Sequence, residues 1–203
     1  MSANGSRPAL YLLRHGETEW SASGRHTSRT DISLTVEGEQ QARRAGLVLS
    51  KLRETDIPPA HVVCSPRQRA LQTAKLAGLE IDEVTEELTE WDYGEYEGLT
   101  SAQIQEKVPD WTIWSSPVPG GETADEVSER AKKLLDRVVG ALRTGDVVLI
   151  GHGHFSRVLA ATWLGLTASD GVRLALEPAC ITVLGDEGGE PQIVRSNIPP
   201  WND

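Results

Sequence analysis

The sequence of 203 residues predicts an α/β fold, a three-layer α/β/α sandwich built on a mainly parallel sheet with an antiparallel edge. Three observations carry that expectation. Short apolar runs alternate along the chain with stretches of helical periodicity, the pattern that covers both faces of a parallel sheet with helices. Two of the runs, Leu10-Tyr11-Leu12-Leu13 and Val147-Val148-Leu149-Ile150, are apolar at every position, as a strand buried on both faces must be. Near the C-terminus, runs over 180–184 and 192–194 flank Asp186-Glu187-Gly188-Gly189, which reads as a hairpin and supplies the antiparallel edge.

The elements follow in order. Strand one runs into Arg14-His15-Gly16, and the loop from there to Leu34 is long, which in a compact domain usually marks function. Thr35 caps a helix that reaches about residue 52, with Ala42, Ala45, Leu49 and Leu52 on one face. Residues 61–64 read as strand two. Ser65-Pro66 then offers an N-cap followed by proline at the first helical position, and Gly78 ends that helix. Residues 81–84 make a short third strand. Thr100 with Gln103, and Thr123 with Glu126, have capping-box spacing; the second box opens a long helix to about residue 142. The segment 98–122 reads as a helical insertion within a single domain spanning 1–203. Residues 146–150 form the next strand and 155–164 the helix after it.

Composition narrows the function classes. Hydrophobic content of 38% and charged content of 25% are those of an ordinary soluble domain with a real core. Residues 1–8 lack the apolar stretch of a signal peptide, and no run has the length of a membrane helix, which points to the cytoplasm. The two cysteines, Cys64 and Cys180, make neither a disulfide framework nor a metal spacing. A net charge of −10 disfavours nucleic-acid and acidic-membrane partners, which need a basic face. Oligomeric state stays open, a homodimer included.

The chemistry is concentrated at two strand ends. In open α/β sheets, ligands bind just beyond the carboxyl ends of the strands. The first strand ends in Arg14-His15-Gly16 and the later one in Gly151-His152-Gly153-His154, so two distant histidines meet at that edge. Arg14 adds a fixed positive charge beside His15, which suits an anionic substrate, phosphate above all.

These residues carry a family resemblance. Arg14-His15-Gly16-Glu17-Thr18 resembles the nucleophile motif of the histidine phosphatase superfamily, whose name-giving branch is the cofactor-dependent phosphoglycerate mutases. Thr30-Asp31-Ile32-Ser33-Leu34-Thr35, with Gly38, Gln41 and Ala42, is similar to the start of that family's first helix. Ser65-Pro66-Arg67-Gln68-Arg69-Ala70, followed by Thr73-Ala74, resembles its second motif. Leu88-Thr89-Glu90-Trp91-Asp92-Tyr93-Gly94 resembles its acid motif, and Gly151-His152-Gly153 its closing one. The matches come in family order from Tyr11 to Arg157.

The resemblance implies a phosphoglycerate mutase-like fold and a set of roles. His15 would be the nucleophile, forming a phosphohistidine that divides one slow displacement into two steps. Arg14, Arg69 and His152 would bind the phosphoryl group, since arginine forks suit its spreading charge. Arg69 is favoured over Arg67 because it directly precedes Ala70; Arg67 reads as an ion-paired neighbour. Glu90 would be the proton donor, with Asp92, Glu95 and Glu97 structural or solvated. Ser21, Thr27, Ser28, Tyr93, Gly153 and His154 are the expected substrate contacts. The basic loop Arg25-His26-Thr27-Ser28-Arg29 reads equally as a contact for a second phosphate or sugar hydroxyls and as a solvated loop. No cofactor is expected. A metal set of His152 and His154 with His15 or Glu90 is the competing reading, disfavoured because two arginines at one point repel a dication. The expected partner is a small phosphorylated metabolite.

The branch follows from a departure. Mutases resemble one another in carrying a lysine and paired arginines after the acid motif, whereas residues 97–121 here hold Lys107 and no arginine. The chain looks more like the hydrolytic branch that includes acid phosphatases and sedoheptulose bisphosphatase. A mutase, or a non-catalytic phosphate-binding homologue, is the alternative.

Overall fold

A computed structural model describes residues 7–200. Its core is one six-stranded sheet in the order β3-β2-β4-β1-β5-β6. Strands β1 (Leu10–Arg14), β2 (His61–Cys64), β3 (Glu83–Val84) and β4 (Val147–Gly151) are parallel. Strands β5 (Ile181–Glu187) and β6 (Glu190–Ile198) add the antiparallel edge. The helices are α1 (Glu19–Ala22), α2 (Val36–Arg53), α3 (Gln68–Leu76), α4 (Ser101–Gln105), α5 (Ala124–Val138) and α6 (Gly153–Trp163).

The two-residue period of a strand sends alternate side chains to opposite faces, and both faces are apolar. Leu10 and Leu12 of β1, with Val147 and Leu149 of β4, pack against Leu134 and Leu135 of α5 and against Phe155, Val158 and Leu159 of α6. Tyr11 and Leu13, with Val148 and Ile150, pack instead against Ala45 and Leu49 of α2 and Ala70 and Ala74 of α3. The sheet is therefore the middle of three layers, as the sequence predicts.

Between β1 and β4 the chain changes side. The helix following β1 covers one face and the helix following β4 covers the other, which opens a crevice at their carboxyl ends. Arg14 pairs with Gly151 across the two strands, and the His15 N–H continues the ladder to the Gly151 carbonyl at 2.9 Å. The two histidine motifs are thus brought together by strand register alone. On the other side, Gly16 meets Gly38 of α2 main chain to main chain. A Cβ on Gly16 would lie 2.3 Å from the Gly38 carbonyl oxygen, and one on Gly38 2.1 Å from the Glu17 oxygen.

Several boundaries differ from expectation, three of them beside a long-range side-chain contact. The N-cap of helix α3 is Arg67 rather than Ser65, whose hydroxyl lies 2.7 Å from His152 Nε2 and accepts only the Arg67 N–H of the chain ahead, at 3.4 Å. Helix α6 begins at Gly153, two residues early, because Glu90 supplies its N-terminal acceptors. The third strand is limited to Glu83 and Val84, since the Asp82 carboxylate replaces a ladder carbonyl as acceptor for the Val62 N–H. Helix α5 ends at Val138 and tightens into a 3₁₀ turn over Val139–Arg143. Strand β6 runs three times longer than the expected 192–194, as an edge strand with register shifts against β5. Both capping boxes form, at Thr100 with Gln103 and at Thr123 with Glu126. Between them lies α4 and otherwise turn structure.

Candidate active site

A pocket of about 240 Å³ opens at the carboxyl ends of β1 and β4. His15 sits in its wall, 5% exposed. Its Nδ1 lies 2.7 Å from the Gly16 carbonyl, which can only accept, so Nδ1 carries the proton and Nε2 keeps its lone pair. Burial, then the Arg69 and Arg14 charges, hold the His15 ring well below the ordinary histidine value, so it is neutral at neutral pH. A neutral imidazole with an unshared Nε2 pair is a nucleophile.

Arg14 reaches the same pocket. Its Nη1 donates to the Leu176 carbonyl at 2.7 Å, while its Nε is buried without a partner among the described residues. A buried guanidinium N–H left open beside His15 is what an anion's oxygen would satisfy. Gly153 makes room for it: a Cβ there would fall 3.1 Å from Arg14 Cζ.

Arg69 and His152, next to the pocket residues in sequence or space, are both fully buried and do not line it. The Arg69 Nε donates to His152 Nδ1 at 3.2 Å, so His152 Nε2 carries the ring proton and donates it to the Ser65 hydroxyl. Burial, then Arg69, hold His152 well below the usual range, as that tautomer requires. The remaining Arg69 bonds go to the Thr27, Ser28 and Thr30 carbonyls at 3.0–3.3 Å. Arg69 therefore ties the 27–30 loop to the closing motif. The His15 and His152 rings meet edge to face, with centroids 5.3 Å apart.

Glu90 is 6% exposed in the pocket wall. Its Oε1 accepts from the Trp91 and Phe155 N–H groups at 2.9 and 2.7 Å, and its Oε2 from His154 N–H at 3.0 Å. Two of these donors belong to the first turn of α6, so one carboxylate caps that helix and faces the pocket.

The expected substrate contacts divide. Ser21, Thr27, Tyr93, Gly153 and His154 line the pocket. Ser28 does not, which corrects the expectation for it. Its N–H is bound by Glu97, its hydroxyl by the Glu90 carbonyl and its own carbonyl by Arg69, so it fixes the loop. The Tyr93 hydroxyl is 2.5 Å from His154 Nδ1. Burial raises the Tyr93 phenol well above its usual value and lowers His154 well below, so both groups are neutral at neutral pH.

The loop residues are settled individually. Arg25 and His26 line the pocket, whereas Arg29 pairs with Asp92 and Arg67 with Glu86 at 3.2 Å. Glu97 binds the Ser28 and Thr30 N–H groups, a structural role. Ser101, Leu176 and Arg157 also line the pocket and were missed in the sequence. Arg157 was accessible by spacing, one helical turn after His154 on α6. Leu176 lies in irregular chain with no sequence signal. Among the described residues, no three His, Cys, Asp or Glu side chains group as a metal site.

The family model described as Histidine phosphatase superfamily (branch 1) matches residues 10–199. An acid phosphatase of Mycobacterium tuberculosis is 47% identical, covering 91% of this chain and 89% of that one. A sedoheptulose 1,7-bisphosphatase of Saccharomyces cerevisiae is 32% identical over 78% of this chain and 68% of its own. The solved structure of the open reading frame Rv3214 from Mycobacterium tuberculosis superimposes with a TM-score of 0.92 at 44% identity, covering 97% of this chain and 100% of that one.

Proposed function

The chain belongs to the histidine phosphatase superfamily (branch 1), and on that premise we propose that it is a metal-independent phosphatase of small phosphomonoesters, sugar phosphates foremost, working through a phosphohistidine on His15. The observation that carries this reading is the His15 tautomer: the Gly16 carbonyl holds the proton on Nδ1 and leaves Nε2 open to the pocket. In the first step Nε2 attacks phosphorus, the bond to the leaving oxygen breaks, and Glu90 gives that oxygen its proton. The Gly16 carbonyl stabilises the cation that the phosphorylated ring becomes. Arg14 meets the charge on the transferring oxygens with the Nε–H that has no other partner among the described residues. In the second step water attacks phosphorus, Glu90 takes its proton, and the P–N bond breaks to free phosphate and neutral His15.

The pocket volume of about 240 Å³ suits a phosphoryl group with a small polar body. Arg157, Arg25, His26, Ser101 and His154 give that body charged and hydrogen-bonding walls. Such a metabolite is the expected partner, met in the cytoplasm. Lys107 is the one basic residue over 97–121, too little to grip a phosphoglycerate carboxylate and retain it for mutase chemistry.

Rapid quench with a labelled phosphomonoester tests the mechanism. Wild type should show an acid-labile, alkali-stable protein label that His15→Ala lacks, together with turnover. Full-rate turnover by His15→Ala would overturn the reading, and absence of turnover in wild type would leave a phosphate-binding homologue. EDTA should leave the rate unchanged and vanadate should inhibit; activity lost to EDTA and restored by zinc or magnesium would replace the metal-independent scheme. Conversion of 3-phosphoglycerate to its isomer faster than its hydrolysis would make the protein a mutase.

A further inference from the structure

Arg130 lies on α5, outside the pocket, yet its guanidinium bonds are divided between Glu122 and the segment that carries Glu90. Its Nε and Nη2 grip Glu122 bidentately at 2.8 and 2.7 Å. Its Nη1 donates to the Glu87 and Thr89 carbonyls at 3.0 and 2.8 Å, and Nη2 reaches the Glu90 carbonyl at 3.4 Å. Glu122 continues the clamp, accepting the Asp92 N–H at 2.9 Å and giving its own carbonyl to the Trp91 indole. The chain is thus held immediately before and after Glu90.

The same guanidinium fixes the other end of the carboxylate. It lies 4.0 Å from the Phe155 ring centroid, and the Phe155 N–H makes the shortest bond that Glu90 receives. One planar cation therefore sets both the main chain from which Glu90 projects and the helix turn on which its carboxylate rests. A five-donor fork can do this; a lysine ammonium, with three donors and no plane to stack, cannot.

We propose that Arg130, locked by Glu122, is a positioning residue for proton transfer by Glu90. The inference rests on the acid–base role given to Glu90 above. Arg130 touches no substrate, so loosening it should affect the step in which a poor leaving group needs a proton and spare steps that do not.

Single-turnover bursts with an alkyl and an aryl phosphate provide the test, run on wild type, Arg130→Lys, Glu90→Gln and the double variant. Arg130→Lys should slow the alkyl burst by roughly tenfold or more while the aryl burst and vanadate inhibition stay within about twofold. In the Glu90→Gln background it should cause no further loss, because the group it positions can no longer donate. Equal slowing of both substrates, or an undiminished effect in the Glu90→Gln background, would reduce Arg130 to general structural support and overturn the inference. No slowing of either burst would overturn it too. If Glu90→Gln itself fails to separate the two substrates, the parent reading of Glu90 falls and this inference with it. Thermal melting monitors folding, and if Arg130→Lys does not fold, Glu122→Gln loosens the same fork and must give the same split.

Discussion

Replacing Gly153 by alanine should lower activity without harming the fold, and the structure sets the size of the effect. The added Cβ would stand 3.1 Å from Arg14 Cζ, 3.2 Å from Nε and 3.4 Å from Nη1. Unstrained carbon contacts settle at about 3.5–4.0 Å, so the guanidinium must retreat by roughly half an ångström. It can retreat, being the end of a flexible stem, but its anchor at the Leu176 carbonyl then shifts and its open Nε turns from the phosphoryl position. A misplacement of about 1 Å can cost a hundredfold in rate, so half that distance should cost about tenfold, or ~1.4 kcal/mol of transition-state stabilisation. Stability should barely move, because Gly153 is the first residue of α6 and the strain falls on the movable end of a long side chain. The assay is kcat/KM for an aryl phosphate with a thermal melt on the same samples. Wild-type kcat/KM in a folded variant would show that Arg14 need not be held where it is. Activity lost only in proportion to unfolded protein would remove the argument altogether.

Other expectations follow from the buried histidines and the pocket wall. Ser65→Ala strips the acceptor from His152 Nε2 and should destabilise the protein by about 1–3 kcal/mol in chemical denaturation, with activity reduced; a loss within error would mean that His152 finds another partner. His15, His152 and His154 stay neutral when folded, while in the unfolded chain they take up protons below about 6.5. The unfolded state then binds more protons, so this stability is complete above that pH and is lost as pH falls. Urea midpoints at pH 7.5, 6 and 5 should decline in that order, and a flat series would refute the assignment. Arg157→Gln should raise KM for sugar phosphates roughly tenfold while leaving inhibition by inorganic phosphate unchanged, and an equal change in both would place Arg157 at the phosphoryl group instead.

What was legible in the sequence was what local chemistry decides. The all-apolar runs give β1 and β4, and their polar ends place His15 and His152 at one sheet edge. Thr100 and Thr123 form their boxes because both partners lie three residues apart. The misreadings concern groups whose partners are distant in sequence. Ser65 has the spacing of an N-cap, but a buried imidazole 87 residues away takes its hydroxyl. The true start of α6 is invisible locally, since His152 makes no side-chain cap and the acceptor comes from Glu90. The family resemblance offers Ser28 as a substrate contact, yet Glu97 and Arg69 use its main chain. The Arg130 fork, which links α5 to the Glu90 segment, left no local sign at all.

The meeting of Gly16 with Gly38 bears on how this chain can vary. Both sides of that contact are main chain, so no rotamer change or smaller neighbour can absorb a methyl group on either. Ordinary packing faults can be repaired by a second, compensating substitution; this one has no such partner, because glycine is already the smallest residue at each place. The histidine beside it is thereby insulated from drift in the surrounding sequence, and its setting is inherited as backbone shape. A library randomised at positions 16 and 38 together and selected for activity should return glycine at both, and recovery of any other active pair would show that helix α2 can step away from the loop.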